Sequence, residues 1–267
     1  DKYLEKRELT NKEKFYVDNL YTTLEFIIKT IREQESKSMY DKTLTETRLN
    51  LRKEGKITIN FLGFVDKIKY LEDNDGKYLV AIIDYKTGYV PTTLDNINYG
   101  LHLQLPVYIY LTKRGLHKDI KITGFYLQKI LNGKTVDSDS FEEDSKKALK
   151  LDGYSIDSEE ELIKFDRTYT KSDVIKGMAT TSKGFAHYAK LFNDSDIEKI
   201  DRIVDERINE VVEAIWKGDF PINPKRVKGE LIGCEFCKYK EICYRREEDI
   251  VDLEYKTRED ILGDDLN

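Results

Sequence analysis

Three short segments decide how this chain folds: residues 63–70 (GFVDKIKY), 80–88 (VAIIDYKTG) and 102–108 (HLQLPVY). The apolar run that ends at Asp84 is short and rich in branched residues, so it predicts a buried β-strand. Side chains two residues apart on a strand point to the same face, and Asp84 and Lys86 therefore project together. Asp66 stands near the end of the preceding predicted strand. If the two strands pair, both carboxylates can reach one divalent cation.

Two carboxylates and a lysine at the end of a buried strand point to metal-dependent chemistry. A charge inside an apolar element is costly unless it is paired or bound to a metal. Mg²⁺ prefers oxygen ligands and keeps several of its waters. A lysine beside such an ion can orient or deprotonate an attacking water, or offset the charge of a phosphate. The alternative is that Asp84 and Lys86 form a surface ion pair at a strand end, which would contribute little to stability.

Hydrophobic periodicity on both sides of these segments predicts the order helix, three strands, helix, strand. The first helix is expected to have an apolar stripe, and the strand after it alternates in polarity, which is typical of a sheet edge. Pro106 lies inside the second predicted helix and indicates a kink or a helix start nearby. The predicted ranges are a helix over 12–38, strands over 43–52, 57–70 and 78–86, a helix over 98–113 and a strand over 120–130. The stripe of the first helix comprises Phe15, Leu20, Leu24, Ile27, Ile28 and Ile31.

The remainder of the chain is less regular. Residues 132–173 are polar and show no clear pattern, apart from a short helix predicted over 158–164. Apolar residues recur at helical spacing over 194–218, which predicts a long helix with Gly218 as its stop signal.

The ordered motifs resemble those of the PD-(D/E)xK nuclease superfamily, and most closely its RecB-like branch. Gly-x-x-Asp, Ile-Asp-Tyr-Lys-Thr-Gly and Gln-x-x-x-Tyr follow one another in this sequence as they do in that branch. The resemblance implies an α/β (α+β) fold: a restriction-endonuclease-like αβββαβ core with a mixed central sheet and extra C-terminal helices. The residues that it implies at the site are Asp66, Asp84, Tyr85, Lys86, Gln104 and Tyr108.

The same resemblance implies a role for each of these residues. Asp66, Asp84 and the backbone carbonyl of Tyr85 would hold Mg²⁺ or Mn²⁺. Lys86 would be the catalytic lysine, and Gln104 with the tyrosine four residues later would shape the site from a helix.

Glu46 is a further candidate, because nucleases of this family often carry an acidic residue upstream of the first motif aspartate. The alternative is a solvated glutamate on an edge strand. Many RecB-like nucleases also place a histidine on a helix ahead of the core, and no histidine precedes His102 here. We expect His102, His117 and His187 to be ordinary surface or core residues.

The three cysteines, Cys234, Cys237 and Cys243, form the pattern C-x2-C-x5-C. Clustered cysteines in a cytosolic chain predict a metal site rather than disulfides, but three thiolates are one short of a closed zinc or iron–sulfur site. Residues 218–224 (GDFPINP) also resemble the lead-in to the cysteine cluster of the AddB-type nuclease domains in AddAB helicase–nucleases. There, one cysteine ahead of the nuclease core and three behind it hold a 4Fe–4S cluster.

That resemblance implies a 4Fe–4S cluster that is incomplete in this chain, with the fourth cysteine expected before Asp1. The alternative is three reduced, unligated cysteines in a basic loop. The charge of that loop suits phosphate contacts or, equally, a solvated face. Its basic residues are Lys225, Arg226, Lys228, Lys238, Lys240, Arg245 and Arg246.

Composition limits the class of protein. With 39% hydrophobic and 36% charged residues and 11% aromatics, the 267-residue chain is globular rather than disordered. No run of eighteen apolar residues or signal-peptide pattern occurs, so we expect no membrane span and a cytoplasmic location. The net charge of −6 argues against a wholly basic nucleic-acid binder, but residues 247–267 carry nine acids against two bases, which leaves the rest close to neutral.

The expected function is that of a metal-dependent DNA nuclease. The resemblance implies exonuclease-type processing of DNA ends in recombinational double-strand-break repair, as part of a helicase–nuclease complex. No Gly-x-x-x-x-Gly-Lys-Ser/Thr loop occurs, so an ATP-driven motor must lie in a helicase partner or in the rest of the protein's own chain. Two alternatives stay open: a non-cleaving module that binds DNA ends as a scaffold, and a small zinc-binding interaction protein, which would leave residues 63–108 unexplained.

We expect one nuclease domain over residues 1–267, in a fragment of a larger protein. Its predicted parts are a core over about 12–130, a helical and cysteine-containing extension over 131–246 and an acidic tail over 247–267.

Overall fold

The computed structural model describes residues 9–55, 57–88, 91–116, 118–130, 141–235 and 237–263. Backbone contacts divide the chain into two compact units. The first unit contains the described residues of the ranges 1–49, 64–92 and 117–192. The second unit contains those of the ranges 50–63, 93–116 and 193–267.

A mixed β-sheet is the basis of the first unit. Among the described residues, its six strands are β1 (Lys42–Lys53), β2 (Ile59–Glu72), β3 (Tyr78–Lys86), β4 (Ile120–Lys129), β5 (Asp152–Ile156) and β8 (Leu191–Phe192). They follow one another in the order β1-β2-β3-β4-β5-β8; the pairs β2–β3 and β4–β5 are antiparallel, and β3–β4 and β5–β8 are parallel. A separate hairpin joins β6 (Thr180–Thr181) to β7 (Gly184–Phe185). The mixed sheet and the edge position of β1 were both predicted, and both are confirmed.

In the described part of the first unit there are three helices: α1 (Asn11–Glu35), α3 (Phe141–Ala148) and α4 (Glu159–Phe165). The side chains of Thr10 and Glu13 cap the start of α1 reciprocally. The predicted helix is confirmed, but most of its apolar stripe is left exposed: only Ile27 is buried and Ile31 half-buried. The other four members are 41–61% exposed. Periodicity shows which side of a helix is apolar, but not how much of that side the chain covers.

The long helices described in the second unit are α2 (Gln104–Gly115) and α5 (Asp194–Lys217). The predicted stop of α5 is confirmed, since Gly218 caps it with a positive φ of 66°. The second predicted helix starts later than expected, after a 3₁₀ turn at Ile97–Tyr99. Pro106 therefore lies in the first turn of α2, where the missing N–H costs nothing. Shorter elements of this unit are β9 (Lys225–Val227), α6 (Ile232–Glu235), β10 (Val251–Leu253) and α7 (Arg258–Leu262).

Apart from the 3₁₀ turn, the described helices and strands up to β4 follow in the order α1, β1, β2, β3, α2, β4. This confirms the predicted series of one helix, three strands, one helix and one strand. The region without a clear pattern contains β5 and two helices, of which α4 confirms the short helix predicted over 158–164. No helix in the described part of the chain is long and apolar enough to cross a membrane.

Candidate active site

Asp66 and Asp84 lie side by side on neighbouring strands of the first unit. The register of β2 and β3 pairs Lys67 with Ile83, so the next position outward brings Asp66 opposite Asp84. The Asp66 carboxylate accepts a hydrogen bond of 2.8 Å from the backbone N–H of Tyr85. Asp84 is 1% exposed, and Asp66 is half-buried. Pairing of the two strands thus brings together the two carboxylates that the sequence singled out.

Lys86 completes this group on the same strand. Its ammonium forms an ion pair with Asp84 Oδ2. The Lys86 side chain is 20% exposed and that of Asp84 only 2%, so the alternative of an exposed surface pair does not agree with the structure. A buried ion pair has lost much of its hydration and is weak evidence of a stabilising role. Burying such charges is costly unless they are paired or bind a metal ion, and the position of this pair beside Asp66 therefore marks a candidate functional site.

The donors around Asp84 suit a hard divalent cation. In the described ranges, no three His, Cys, Asp or Glu side chains are grouped closely enough to hold a metal ion. Mg²⁺ does not need such a cage, because one or two carboxylates usually hold it together with waters and substrate phosphates. Asp66, Asp84 and the Tyr85 carbonyl offer oxygen donors of this type, so these residues fit the ion that the resemblance implies.

Glu46 does not join the two aspartates. It is an exposed residue of β1, and its φ of 46° is unusual for a residue other than glycine. Because the described acids form no group of three, the structure gives Glu46 no place at the site. The alternative interpretation as a solvated glutamate on an edge strand agrees with its exposure.

Gln104 and Tyr108 lie on the first two turns of α2, in the second unit. The Gln104 amide donates a hydrogen bond of 3.0 Å to the Tyr108 hydroxyl. Gln104 is exposed and Tyr108 is half-buried. The spacing of four residues therefore places the two side chains in contact on one helix face, as the sequence predicts.

An ionic cluster on the opposite face of β2 was missed at the level of sequence. Lys67 donates a hydrogen bond of 2.6 Å to Glu35 Oε1 on α1, and Lys69 Nζ lies 4.0 Å from the same oxygen. Both lysines are only 5% exposed. The Lys67 ammonium also lies 5.9 Å from the centre of the Tyr85 ring, directly behind the Asp-Tyr-Lys segment. Two lysines in an otherwise apolar strand were a signal that a carboxylate must lie nearby.

Burial and the shared Glu35 carboxylate shift the pKa values of Glu35, Lys67 and Lys69 in different directions. Burial alone would raise the pKa of Glu35, but the hydrogen bond from Lys67 and the nearby positive charges outweigh it, so the pKa lies below its ordinary value. Burial would lower the pKa of Lys67, and its hydrogen bond to Glu35 reverses that effect and raises it. Burial lowers the pKa of Lys69. The negative charge of Glu35 offsets this shift only in part, and the positive charge of Lys67 adds to it.

We expect Lys67→Met and Lys69→Met to change stability unequally. Loss of Lys67 leaves Glu35 without its closest cation, and the free energy of unfolding should fall by about 1–3 kcal/mol. Loss of Lys69 removes a nearly buried ammonium with a poor partner, so the change should stay within about 1 kcal/mol. Urea unfolding at neutral pH, followed by circular dichroism, measures both changes. Equal losses in the two variants would contradict the unequal sharing of Glu35.

The same comparison has a pH control. Because the folded-state pKa of Glu35 is depressed, the stability from its pair with Lys67 is present above the unfolded pKa of about 4.3. It is lost as the pH falls through the lower folded-state pKa. The stability difference between the wild type and Lys67→Met should therefore shrink in acid.

The three cysteines are free thiols in the second unit. Cys237 is exposed, and Cys234 and Cys243 are half-buried. They do not form a group that could hold a metal in the part of the chain that the structure describes. A 4Fe–4S cluster needs four ligands, so the three thiols do not fit it, and the structure gives no support for the cluster.

Part of the basic charge near the cysteines is already paired with the acidic tail. Arg226 donates to Asp252 at 2.6 and 2.9 Å and to Glu247 at 2.6 Å. The strands that carry Arg226 and Asp252, β9 and β10, also pair with each other. His102 and His187 are exposed, and His117 lies outside the described residues.

Comparison with known proteins places this chain in a known family. The family model of the PD-(D/E)XK nuclease superfamily matches residues 1–244. The B subunit of the ATP-dependent helicase/deoxyribonuclease of Carboxydothermus hydrogenoformans is 26% identical over 196 residues, which cover 70% of this chain and 18% of that protein. The proteins of the same name from Thermoanaerobacter sp. (strain X514) and Alkaliphilus metalliredigens are each 26% identical, over 194 residues (69% of this chain, 17% of theirs) and 213 residues (76% and 18%).

The chain thus spans less than a fifth of the length of the curated relatives it matches. The family match, in contrast, covers most of the chain and includes all of the residues that the sequence singled out at the site. This chain belongs to the PD-(D/E)XK nuclease superfamily.

Proposed function

We propose that this chain is a metal-dependent deoxyribonuclease domain that hydrolyses phosphodiester bonds at DNA ends, as part of a helicase–nuclease assembly. The observation that carries the proposal is the buried Asp84–Lys86 pair with Asp66 beside it. The relatives are named as the B subunit of an ATP-dependent helicase/deoxyribonuclease, which supports DNA as the substrate and a helicase as the partner. Exonuclease-type action and a role in double-strand-break repair are parts of this proposal.

In the proposed mechanism, Asp66, Asp84 and the Tyr85 carbonyl would hold Mg²⁺ or Mn²⁺ at the site of cleavage. A divalent ion there would act as a Lewis acid on the phosphate oxygens and would make a bound water more acidic. The Tyr85 N–H fixes the orientation of the Asp66 carboxylate through its hydrogen bond. The apolar strands around Asp84 exclude water, which strengthens each charge interaction at the site.

Lys86 acts on the nucleophile in this proposal. Its ammonium, held beside Asp84, donates hydrogen bonds that orient the attacking water and offset the charge that develops on the phosphate. The role of Gln104 and Tyr108 in shaping the site rests on the resemblance alone, and their side chains are hydrogen-bonded to each other.

Lys86→Ala tests the proposal most directly. We expect wild-type protein to cleave end-labelled single- or double-stranded DNA only with Mg²⁺ or Mn²⁺, and the variant to lose about a hundredfold or more of that rate. Lys129→Ala is a matched control, because Lys129 is the register partner of Lys86 on β4 and has no role in the mechanism. Cleavage that persists in EDTA or in Lys86→Ala, with the fold checked by circular dichroism, would contradict the proposal.

A second candidate is a module that binds DNA ends without cutting them. The observation in its favour is that the cysteines do not form the metal group that the resemblance implies. If this alternative holds, the wild type binds end-labelled DNA but does not cleave it with either metal. The presence of Asp66, Asp84 and Lys86 together favours cleavage instead.

A further inference from the structure

The face of β2 that carries Asp66 passes from the core to solvent over a short distance. Side chains two residues apart on a strand share a face, so Ile68, Asp66 and Phe64 point to the same side of the sheet. Ile68 is fully buried, Asp66 is half-buried and Phe64 is 52% exposed. Val65 and Lys67, which alternate with them, are at most 5% exposed. Phe64 therefore projects from the sheet at the solvent side of the candidate site.

The neighbouring strand β3 becomes exposed in the same direction. Exposure rises along this face from Ile82, which is fully buried, to the Lys86 side chain, which is 20% exposed. The antiparallel register that brings Asp66 opposite Asp84 also sets Phe64 opposite Lys86, because both strands advance by two residues. Residues directly opposite each other on paired strands are side-chain neighbours. An aromatic ring and an ammonium thus border the site where it opens to solvent.

An exposed aromatic ring in this position suits a nucleobase. Phe64 occupies a variable position of the Gly-x-x-Asp segment, so the resemblance assigns it no role. Every base has a π-face, and stacking on an aromatic side chain binds single strands with little sequence preference. Two residues along a strand span about 7 Å. A nucleotide whose phosphate lies at the two aspartates can therefore place its base against the Phe64 ring.

We infer that Phe64 is a substrate-contacting residue of the nuclease reaction: its ring stacks on the base next to the scissile phosphate and so holds that nucleotide in the site. This inference rests on the proposed function. A base on Phe64 has left its duplex neighbours, which costs least in DNA that is already single-stranded. The stacking is made equally in the ground state and in the transition state, so its loss should raise KM and leave kcat nearly unchanged.

The test compares Phe64→Ala with Phe64→Leu, which keeps an apolar side chain, and with Phe64→Trp, which keeps an aromatic ring. With single-stranded, end-labelled DNA and Mn²⁺, we expect KM to rise about tenfold in Phe64→Ala and about fivefold in Phe64→Leu, and to stay within about twofold in Phe64→Trp. In all three variants, kcat should stay within about threefold of the wild type. Phe15→Ala is the matched control, because Phe15 is exposed to a similar degree on α1 and has no role in the mechanism. Circular dichroism and Mn²⁺-dependent thermal stabilisation should match the wild type in every variant.

An abasic substrate separates base stacking from a general effect on the strand. A single abasic nucleotide is moved stepwise along the oligonucleotide, and kcat/KM is measured for each substrate. At the position next to the cleaved bond, loss of the base should lower kcat/KM about tenfold for the wild type and little for Phe64→Ala. Equal losses in the two proteins would show that the base does not act through the Phe64 ring.

Binding is measured separately in a Lys86→Ala background, which leaves DNA intact under the proposed function. Fluorescence anisotropy of a labelled single strand should give a Kd about tenfold higher when Phe64→Ala is added. An unchanged Kd, or equal abasic losses, would overturn the inference while wild type and Lys86→Ala still differ in cleavage. A wild type that binds DNA without cleaving it would contradict the proposed function, and the anisotropy comparison would still decide whether Phe64 stacks on a base. A wild type that does not bind DNA would overturn both.

Discussion

Asp84→Asn is expected to abolish metal-dependent DNA cleavage, with a loss of about a thousandfold or more. The substitution keeps the size of a side chain that is 1% exposed, so the apolar strand around it can stay packed. It removes the negative charge that would bind the cation and that holds the Lys86 ammonium. A bound metal contributes several kcal/mol of transition-state stabilisation, and about 1.4 kcal/mol corresponds to a tenfold change in rate.

Metal binding can be followed separately from cleavage. A ligand at a hundred times its Kd stabilises a folded protein by about 2.7 kcal/mol, so Mn²⁺ should raise the Tm of the wild type and not of Asp84→Asn. Asp73→Asn is a matched control, because Asp73 lies in the turn at the other end of the same two strands. That variant should keep both the metal response and the activity. Asp84→Asn protein with wild-type cleavage would remove this residue from the site.

Two pairs of candidate site residues, Asp66 with Asp84 and Gln104 with Tyr108, were predictable because each depends on local sequence pattern. The apolar run before Asp84 indicated β3 with the bounds that the structure has, and a strand has only two faces. Pairing with the preceding strand was then enough to bring Asp66 and Asp84 together. The spacing of Gln104 and Tyr108 likewise specified their contact once a helix was predicted.

Other contacts could not be predicted, because they depend on partners far apart in the sequence. Lys67 needed a carboxylate, but nothing local indicated Glu35, which is 32 residues away on α1. The pairing of Tyr110 with Asp205 spans 95 residues and depends on which face α5 turns towards α2. The four exposed residues of the α1 stripe show the same limit, since amphipathicity does not specify what covers a helix.

Strand β5 was missed for a different reason. Its sequence, DGYSI, contains a glycine and two polar residues, which is typical of a loop. In the structure, β5 pairs with β4 and four of its five residues are buried. Gly153 is required there because the backbone of β4 approaches too closely for any side chain. The residue that weakened the sequence signal is thus the one that permits the strand to pair.

Gly153→Ala should therefore destabilise the protein strongly. A Cβ at this position would lie 2.1 Å from the Phe125 carbonyl oxygen and 2.7 Å from Tyr126 Cα. Both neighbours are backbone atoms of fully buried residues, so no side-chain rotation can relieve the overlap. The strands would have to separate at the Tyr126–Gly153 pair, which would disturb the stacking of Tyr126 on Phe165 and its hydrogen bond to Ser155.

We expect the free energy of unfolding to fall by about 3 kcal/mol, the upper end of the usual cost of overpacking, and Tm to fall by about 6–12 °C. Thermal and urea unfolding, both followed by far-ultraviolet circular dichroism, measure the change. Gly233→Ala is the matched control, because a Cβ there meets no atom within 4 Å, and its stability should change by less than about 1 kcal/mol. If Gly153→Ala unfolds at the wild-type temperature, β4 and β5 do not pair in this register. The mixed sheet would then end at β4, on the side of the Asp84 strand that faces away from Asp66.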